Sequence, residues 1–457
     1  MKKGPSYQMT VHSPGSMGEM WTITWPIMLG LFSSGMMLFV DRLFLGHYSL
    51  KAFAACANGS VSAYIFLMVP IAMTSMSEVF AGRLHGAGQE EKIGEVVWQM
   101  VWLSFLLLPL FFLIGEIAPH VLFRSGIYRQ EEALYFATLM RGSFFFFATP
   151  ALSGFFSGRG KTRIIAVITL GSNGINALLD YLLIFGIGGF KEMGIQGAAY
   201  ATVSAQASCV LLFALFFFFA KKNPGRFALK IKIRTIWEGI RVGFPAGLGH
   251  ASEMVAHFVF FKIMERTGSE YHAIAVMMQS LYLLFNFINN GIFRGTRSLV
   301  SNFIGAKRYL HINQNIFSAC KIHALFFSVL FLGVIIFGEK VGMIFLSKAE
   351  IFVVFTPSFV ITLKLALIYT SLFFLLDGWM WAMIGALVAA CDTKFIMMIG
   401  MIAQWVTYLI PIYIAINYFG VSVAGAWLLV VINQLLMCIV YFLRIQKAPW
   451  EIEKAHI

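Results

Sequence analysis

The chain has 457 residues, 59% of them hydrophobic and 12% charged, and its mean hydropathy is +0.79. A soluble domain carries about 25% charged residues, so lipid is the expected solvent for most of this chain. The net charge of +13 would suit nucleic acid, but the densest basic run, 221–234 (KKNPGRFALKIKIR), lies between two apolar stretches. No folded basic domain surrounds it, which excludes nucleic-acid binding.

Spans that need about 20 apolar residues to cross a bilayer are predicted at 20–44, 53–81, 94–116, 132–157, 164–188, 196–220, 236–263, 273–303, 313–338, 363–390, 395–417 and 422–444. Their hydrophobicity is continuous rather than alternating, which excludes a β-barrel. Backbone in lipid must satisfy its own hydrogen bonds, so the spans are helices. The first span is read as retained, because no small-residue cleavage site follows it at signal-peptide length. With the N-terminus inside, the cytoplasmic segments hold 20 Lys and Arg residues and the outer ones 9. Both termini are therefore expected in the cytoplasm.

The two halves resemble each other. Trp25-Pro26 matches Phe244-Pro245, and Gly86-Ala87 matches Gly305-Ala306, each shifted by 219. Gly154 and Thr162 match Gly385 and Thr393 with a shift of 231, and Gly197-Ala198 and Gln206 match Gly425-Ala426 and Gln434 with a shift of 228. An even number of spans per repeat makes the repeats parallel, with sites inside or between the bundles near mid-membrane. The expected fold is an all-α polytopic membrane protein with 12 transmembrane helices in two pseudo-symmetric six-helix lobes. These are residues 1–220 and 236–457, joined by a basic cytoplasmic linker at 221–235.

Ionisable groups inside a bilayer cost a few kcal/mol each on insertion scales and mark function by default. In the first span Asp41 lies in FVDRLFLGH; in the fifth, Asn173, Asn176 and Asp180 at i, i+3 and i+7 share one helix face. With Thr202 of the sixth span, Asp41, Asn176 and Asp180 make an oxygen-rich pocket suited to Na+. The competing reading pairs Asp41 with Arg42, although neighbours on a helix point about 100° apart.

In the seventh span Glu253 has His250 three residues before it and His257 four after, all on one face. That face suits a proton relay. A metal site there would need ligands from elsewhere, and two histidines hydrogen-bonded within the bundle are the plain structural alternative. Asp377 in the tenth span stands alone in FFLLDGWMW, a candidate cation ligand or proton carrier. Glu78, Arg83, Arg294 and Arg297 lie near cytoplasmic span ends, where they read as snorkelling ends or as an ion pair closing that side.

Cys56, Cys209, Cys320, Cys391 and Cys438 are scattered without metal or redox spacing, so no disulfide framework is expected. No GxxxxGK[ST] run is present, so ATP is not the expected energy source and no cofactor is implied.

The segments WPIMLG, FVDRLFLGH, GRLHGAG, NALLDYLLIFGIGGFKEMGIQGAAYATV, FPAGLGHASE, FIGAKR and LLDGWMWAMIGALVAACDTK resemble, in order and spacing, the multidrug and toxic compound extrusion (MATE) family. The resemblance implies two six-helix lobes and antiport of cationic amphiphiles against Na+ or H+. It implies a polar cluster at Asp41, Asn176, Asp180 and Thr202 and functional acids at Glu253 and Asp377. Two such acids in the second half look like the NorM-type branch rather than the DinF-type branch. Arg42 departs from the family's small or polar residue, and Phe373 stands where a tyrosine ligand is expected.

The leading expectation is therefore a monomeric antiporter in the cytoplasmic (inner) membrane that exports small organic cations, with Na+ or H+ as coupling ion. Acidic pockets beside aromatics attract such cations by charge and cation–π contact. The competing function is a flippase for lipid-linked saccharides. Its anionic substrate requires a cavity lined with Arg and Lys, whereas the mid-membrane charges here are mainly acidic.

Overall fold

The computed structural model describes residues 9–124, 127–220, 224–345, 357–447 and 450. Among them the regular structure is helical throughout, with no strand. The first half contains α1 (Met17–Tyr48), α2 (Leu50–Thr74), α3 (Met76–Gly86), α4 (Glu90–Leu122), α5 (Arg129–Arg141), α6 (Ser143–Ser157), α7 (Thr162–Phe185) and α8 (Ile195–Phe218). The second contains α9 (Ile233–Thr267), α10 (Ser269–Gly305), α11 (Leu310–Phe345), α12 (Pro357–Ala389), α13 (Thr393–Phe419) and α14 (Val423–Gln446).

Among the described residues ten stretches are long and apolar enough to cross a membrane: α1, α2 with α3, α4, α7, α8, and then α10 to α14. The other two expected spans fall on different kinds of helix. Residues 132–157 are divided at Gly142 into α5 and α6, and residues 236–263 lie in α9, which also carries Glu238, Arg241 and Lys262. Of the charges used to orient the chain, Lys2, Lys3, Lys221, Lys222, Lys348 and Lys454 lie outside the described residues.

Local chemistry sets the helix limits. The Ser49 side chain accepts from Lys51 N at 3.2 Å and starts α2. Gly186 closes α7 at φ +69°, a left-handed cap that favours glycine. Along α4, Leu106, Leu110, Leu113 and Ile117 recur every three or four residues and are 52 to 63% exposed. A helix that shows a stripe of large apolar residues outward is facing lipid.

The chain divides into two compact units. The first is built on Thr22–Leu248 and Ser301–Arg308. Its apolar core joins Leu45, Leu67, Phe111, Phe136 and Phe147. Here α6 meets α3 through glycines: a Cβ on Gly154 would lie 2.6 Å from the Glu78 nitrogen, and one on Gly158 would lie 2.7 Å from the Gly82 nitrogen. Small residues of this kind let helix backbones approach closely in membranes. The end of α10 belongs to this unit and touches α3 in the same way. A Cβ on Gly86 would sit 2.1 Å from the Asn302 carbonyl oxygen, and one on Gly305 would sit 2.0 Å from the Arg83 carbonyl oxygen.

The second unit is built on Gly249–Val300 and the chain from Tyr309 onward, with His12–Trp21. Phe260, Met264, Ile274, Phe359, Tyr408 and Trp427 form its core. Gly385 of α12 repeats the packing of Gly154, with its Cβ position 2.6 Å from the Phe293 oxygen and 3.3 Å from Thr296 Cβ. Gly154 touches Ser77, and Ser77 and Thr296 are themselves 219 residues apart. The repeat read in the sequence therefore recurs as a repeated helix contact.

Candidate functional site

In the first unit α7 presents Asn173, Asn176 and Asp180 to α1. The Asn176 Nδ2 donates to Asp41 Oδ1 at 3.1 Å and also to the Asp180 carboxylate of the next turn. Asn176 thus links two carboxyl groups from different helices. Asn176 and Asp180 are fully buried and Asp41 is nearly so. Asn176 Oδ1 and Asp180 Oδ1 accept from no donor, so the cluster keeps spare oxygen lone pairs for a cation.

Asn173 lies one turn away, and its amide reaches Ser33 Oγ at 2.8 Å and Ser34 Oγ at 3.3 Å. These serines were absent from the sequence-based pocket, although Ser34 and Asp41 are seven apart and share a face of α1. Thr202 is buried but gives its hydroxyl to the Ala198 carbonyl at 3.0 Å, leaving its oxygen as an acceptor. Arg42 is exposed while Asp41 is buried, as their different directions on a helix require.

In the second unit Asp377 is not alone. Its Oδ2 accepts from Tyr282 Oη at 2.9 Å and Asn289 Nδ2 at 2.6 Å, and its Oδ1 accepts from Gln434 Nε2 at 2.9 Å. Tyr282 and Asn289 are seven residues apart on α10, and Gln434 comes from α14. Asp377 stood alone in its own span because its partners lie on other helices. Phe373, lacking the expected hydroxyl, packs its ring 5.6 Å from that of Tyr282, and Tyr282 supplies the hydroxyl instead. Behind Asn289 the buried His323 of α11 brings Nε2 to 2.7 Å from Asn289 Oδ1. Gln434 was visible in the sequence as a repeat match; Tyr282 and Asn289 share a face of α10 by their spacing of seven but were not singled out, and His323 carried no spacing signal.

Glu253 of α9 is close enough for its charge to act on Asp377 and Tyr282. The His250 Nδ1 lies 3.7 Å from Glu253 Oε2, and its ring is stacked on Trp381, 5.3 Å between centroids and 6° from parallel. The His257 Nδ1 faces the Glu253 backbone carbonyl at 2.9 Å. Among the described residues no three His, Cys, Asp or Glu side chains gather as metal ligands, so the metal reading of this face is not supported. Other charges have surface partners: Arg141 pairs with Glu116 at 2.8 Å and Arg444 with Asp392 at 2.6 Å.

Comparison with known proteins bears on these sites. A family profile, MatE, matches residues 26–182. The probable multidrug resistance protein NorM of Thermotoga maritima is 26% identical over 428 residues, covering 90% of this chain and 88% of that protein. The probable NorM of Oceanobacillus iheyensis is 26% identical over 89% of this chain and 91% of its own length. Among solved structures, an outward-facing multidrug resistance MATE family transporter of the MOP superfamily superposes with a TM-score of 0.83 at 18% identity, covering 100% of both chains. A MOP superfamily transporter from Pyrococcus furiosus, whose binding pocket of reverse polarity suggests a different function for it, gives 0.84 at 20% identity with 100% of both chains covered. The MatE segment carries Asp41, Asn176 and Asp180, the similarity to the NorM proteins continues well beyond it along both chains, and the fold is that of the solved MATE structures.

Proposed function

We propose that the protein exports small lipophilic organic cations in exchange for Na+ or H+. One observation carries the reading: the buried acids are solvated by neutral groups. Asp377 accepts hydrogen bonds from Tyr282, Asn289 and Gln434, and Asn176 serves both Asp41 and Asp180. A buried carboxylate without a fixed cation carries a large desolvation cost. It is relieved by a cation that enters and leaves, whether a proton, Na+ or an organic cation. Ions that favour different conformations couple their fluxes.

Asp41, Asn176, Asp180 and Thr202 form the oxygen-rich set for the coupling ion, with Asp377 and Glu253 as acids of the second half and His250 and His257 as the relay beside Glu253. The lobes are 1–220 and 236–457, both termini are cytoplasmic, and the protein works as a monomer in the inner membrane. The flippase alternative requires a basic lining, and these buried clusters are acidic.

Proteoliposomes loaded with a fluorescent organic cation test this reading. Efflux should follow an imposed Na+ or pH gradient and be lost in Asp377→Asn. Efflux that responds to neither gradient would sink the antiporter reading.

A further inference from the structure

We infer that His323 is a positioning residue for Asp377, acting through the Asn289 amide; the inference rests on the proposed role of Asp377. The chain of contacts has one polarity. The Asn289 Nδ2 donates to Asp377 Oδ2 at 2.6 Å, so its carbonyl oxygen faces the other way, toward His323. That oxygen accepts hydrogen bonds and cannot donate. The His323 Nε2, 2.7 Å away, therefore carries the hydrogen.

Packing holds the ring there. His323 is fully buried. Its ring lies 4.8 Å from that of Phe374, and a Cβ on Gly378 would come within 2.1 Å of His323 Nε2 and Cδ2. Phe374 and Gly378 are one turn apart on α12 and flank Asp377 in sequence. Glycine beside the acid is thus what leaves room for the imidazole. His323 Nδ1 accepts from no donor, so the Nε2–H bond to Asn289 is the ring's polar anchor among the described residues.

The consequence is a fixed amide. With His323 in place, Asn289 presents donors to Asp377 and stabilises the empty carboxylate. Without the imidazole N–H the amide is free to turn and present its oxygen, which favours a bound cation over an empty site. Loss of His323 should therefore tighten the coupling ion and slow its release.

The test measures ethidium efflux from proteoliposomes while titrating the ion, Na+ or H+, that drives the wild-type protein. His323→Leu keeps the volume and removes the donor. Its half-saturating ion concentration and its maximal rate should each fall about tenfold, the scale of one charge-assisted hydrogen bond. His323→Gln returns an N–H to Asn289 and should restore both values to within about threefold, a small part of that hydrogen bond. A merely structural role predicts lower rates with unchanged or weaker ion dependence in both variants, and that result overturns the inference, as does wild-type behaviour in His323→Leu. If His323→Leu gives no folded protein, Gly378→Ala displaces the ring with every hydrogen-bonding group intact. It must then show the same paired decrease, and its absence overturns the inference. Asp377→Asn separates the two levels. Retained coupled efflux there removes the role of Asp377 itself. Loss there beside a wild-type His323→Leu removes the positioning role alone.

Discussion

Asp377 is reached from two other helices, and each of its donors contributes to keeping an ionised carboxyl in a buried place. A hydrogen bond to a charged group contributes about 1.5–3 kcal/mol. Tyr282→Phe removes one donor with little change of shape. The empty carboxylate should lose that stabilisation, and the half-saturating concentration of the coupling ion should drop tenfold or more on the same scale. An ion titration of efflux reads this directly, and an unchanged value would show that the 2.9 Å contact has no part in ion release. Asp180→Asn places a second amide beside Asn176 and leaves Asp41 as the one acid of the cluster. Coupled efflux should fall more than about tenfold if that pair exchanges the ion, since the lost contacts are charge-assisted.

The face of α7 was readable because a spacing of three and seven puts side chains together on one helix whatever surrounds it. The partners of Asp377 were not readable, because spacing shows which residues share a face of one helix, as Tyr282 and Asn289 do on α10, and not which other helix that face meets. The expected isolation of Asp377 was thus a property of its own span.

At the level of elements, the fold depends on close backbone contacts between helices. A methyl group at Gly154 or Gly385 would overlap the neighbouring helix, and overpacking of this kind costs typically 1–3 kcal/mol. Gly154→Ala and Gly385→Ala should each lower the midpoint of thermal unfolding in detergent by a few degrees, with the larger drop at Gly154, where three neighbouring atoms lie within 2.7 Å of the added carbon. A change at neither position would mean that the helices part without cost.

The join of α2 and α5 offers a weaker, pH-dependent case. At the start of α5, outside the apolar spans, the Lys51 Nζ lies 2.6 Å from Glu131 Oε1. That hydrogen bond holds the Glu131 carboxyl below its ordinary value. A lowered carboxyl contributes stability above its unfolded value and loses it as pH falls through the folded one. Exposed pairs contribute about 0.2–1 kcal/mol. Glu131→Gln should therefore lower the melting midpoint by about 1 °C at neutral pH, with the difference from wild type closing as the buffer is acidified below the carboxyl range.

At the level of the whole chain, the halves share a scaffold and divide the chemistry. The 219 shift carries Asp41 to Phe260 and the 228 shift carries Asp180 to Tyr408. Where the first half brings two acids together, the second stacks these two rings, 5.5 Å between centroids. The 231 shift carries Asp377 back to Phe146, a buried core residue. Asp41, Asp180 and Asp377 thus each correspond to an aromatic residue at the matching place in the other half, while Glu253 corresponds to Ser34, a difference in side chains that the matched glycines alone did not reveal.

Those glycines also make a prediction for α3 and the end of α10. Gly86→Ala and Gly305→Ala each force the same two backbones apart. The double variant should therefore cost less in unfolding free energy than the two singles together; strict additivity would mean the contacts yield independently.

The geometry of that crossing has a further meaning. Gly86 meets position 302 and Gly305 meets position 83, and the 219 shift carries 86 to 305 and 83 to 302. A surface in which residue i touches j and j touches i is isologous, the pattern of a two-fold homodimer. Each glycine touches a backbone carbonyl rather than a side chain, so Arg at 83 and Asn at 302 can differ while the complementarity persists. A single copy of this repeat already carries a surface that fits itself.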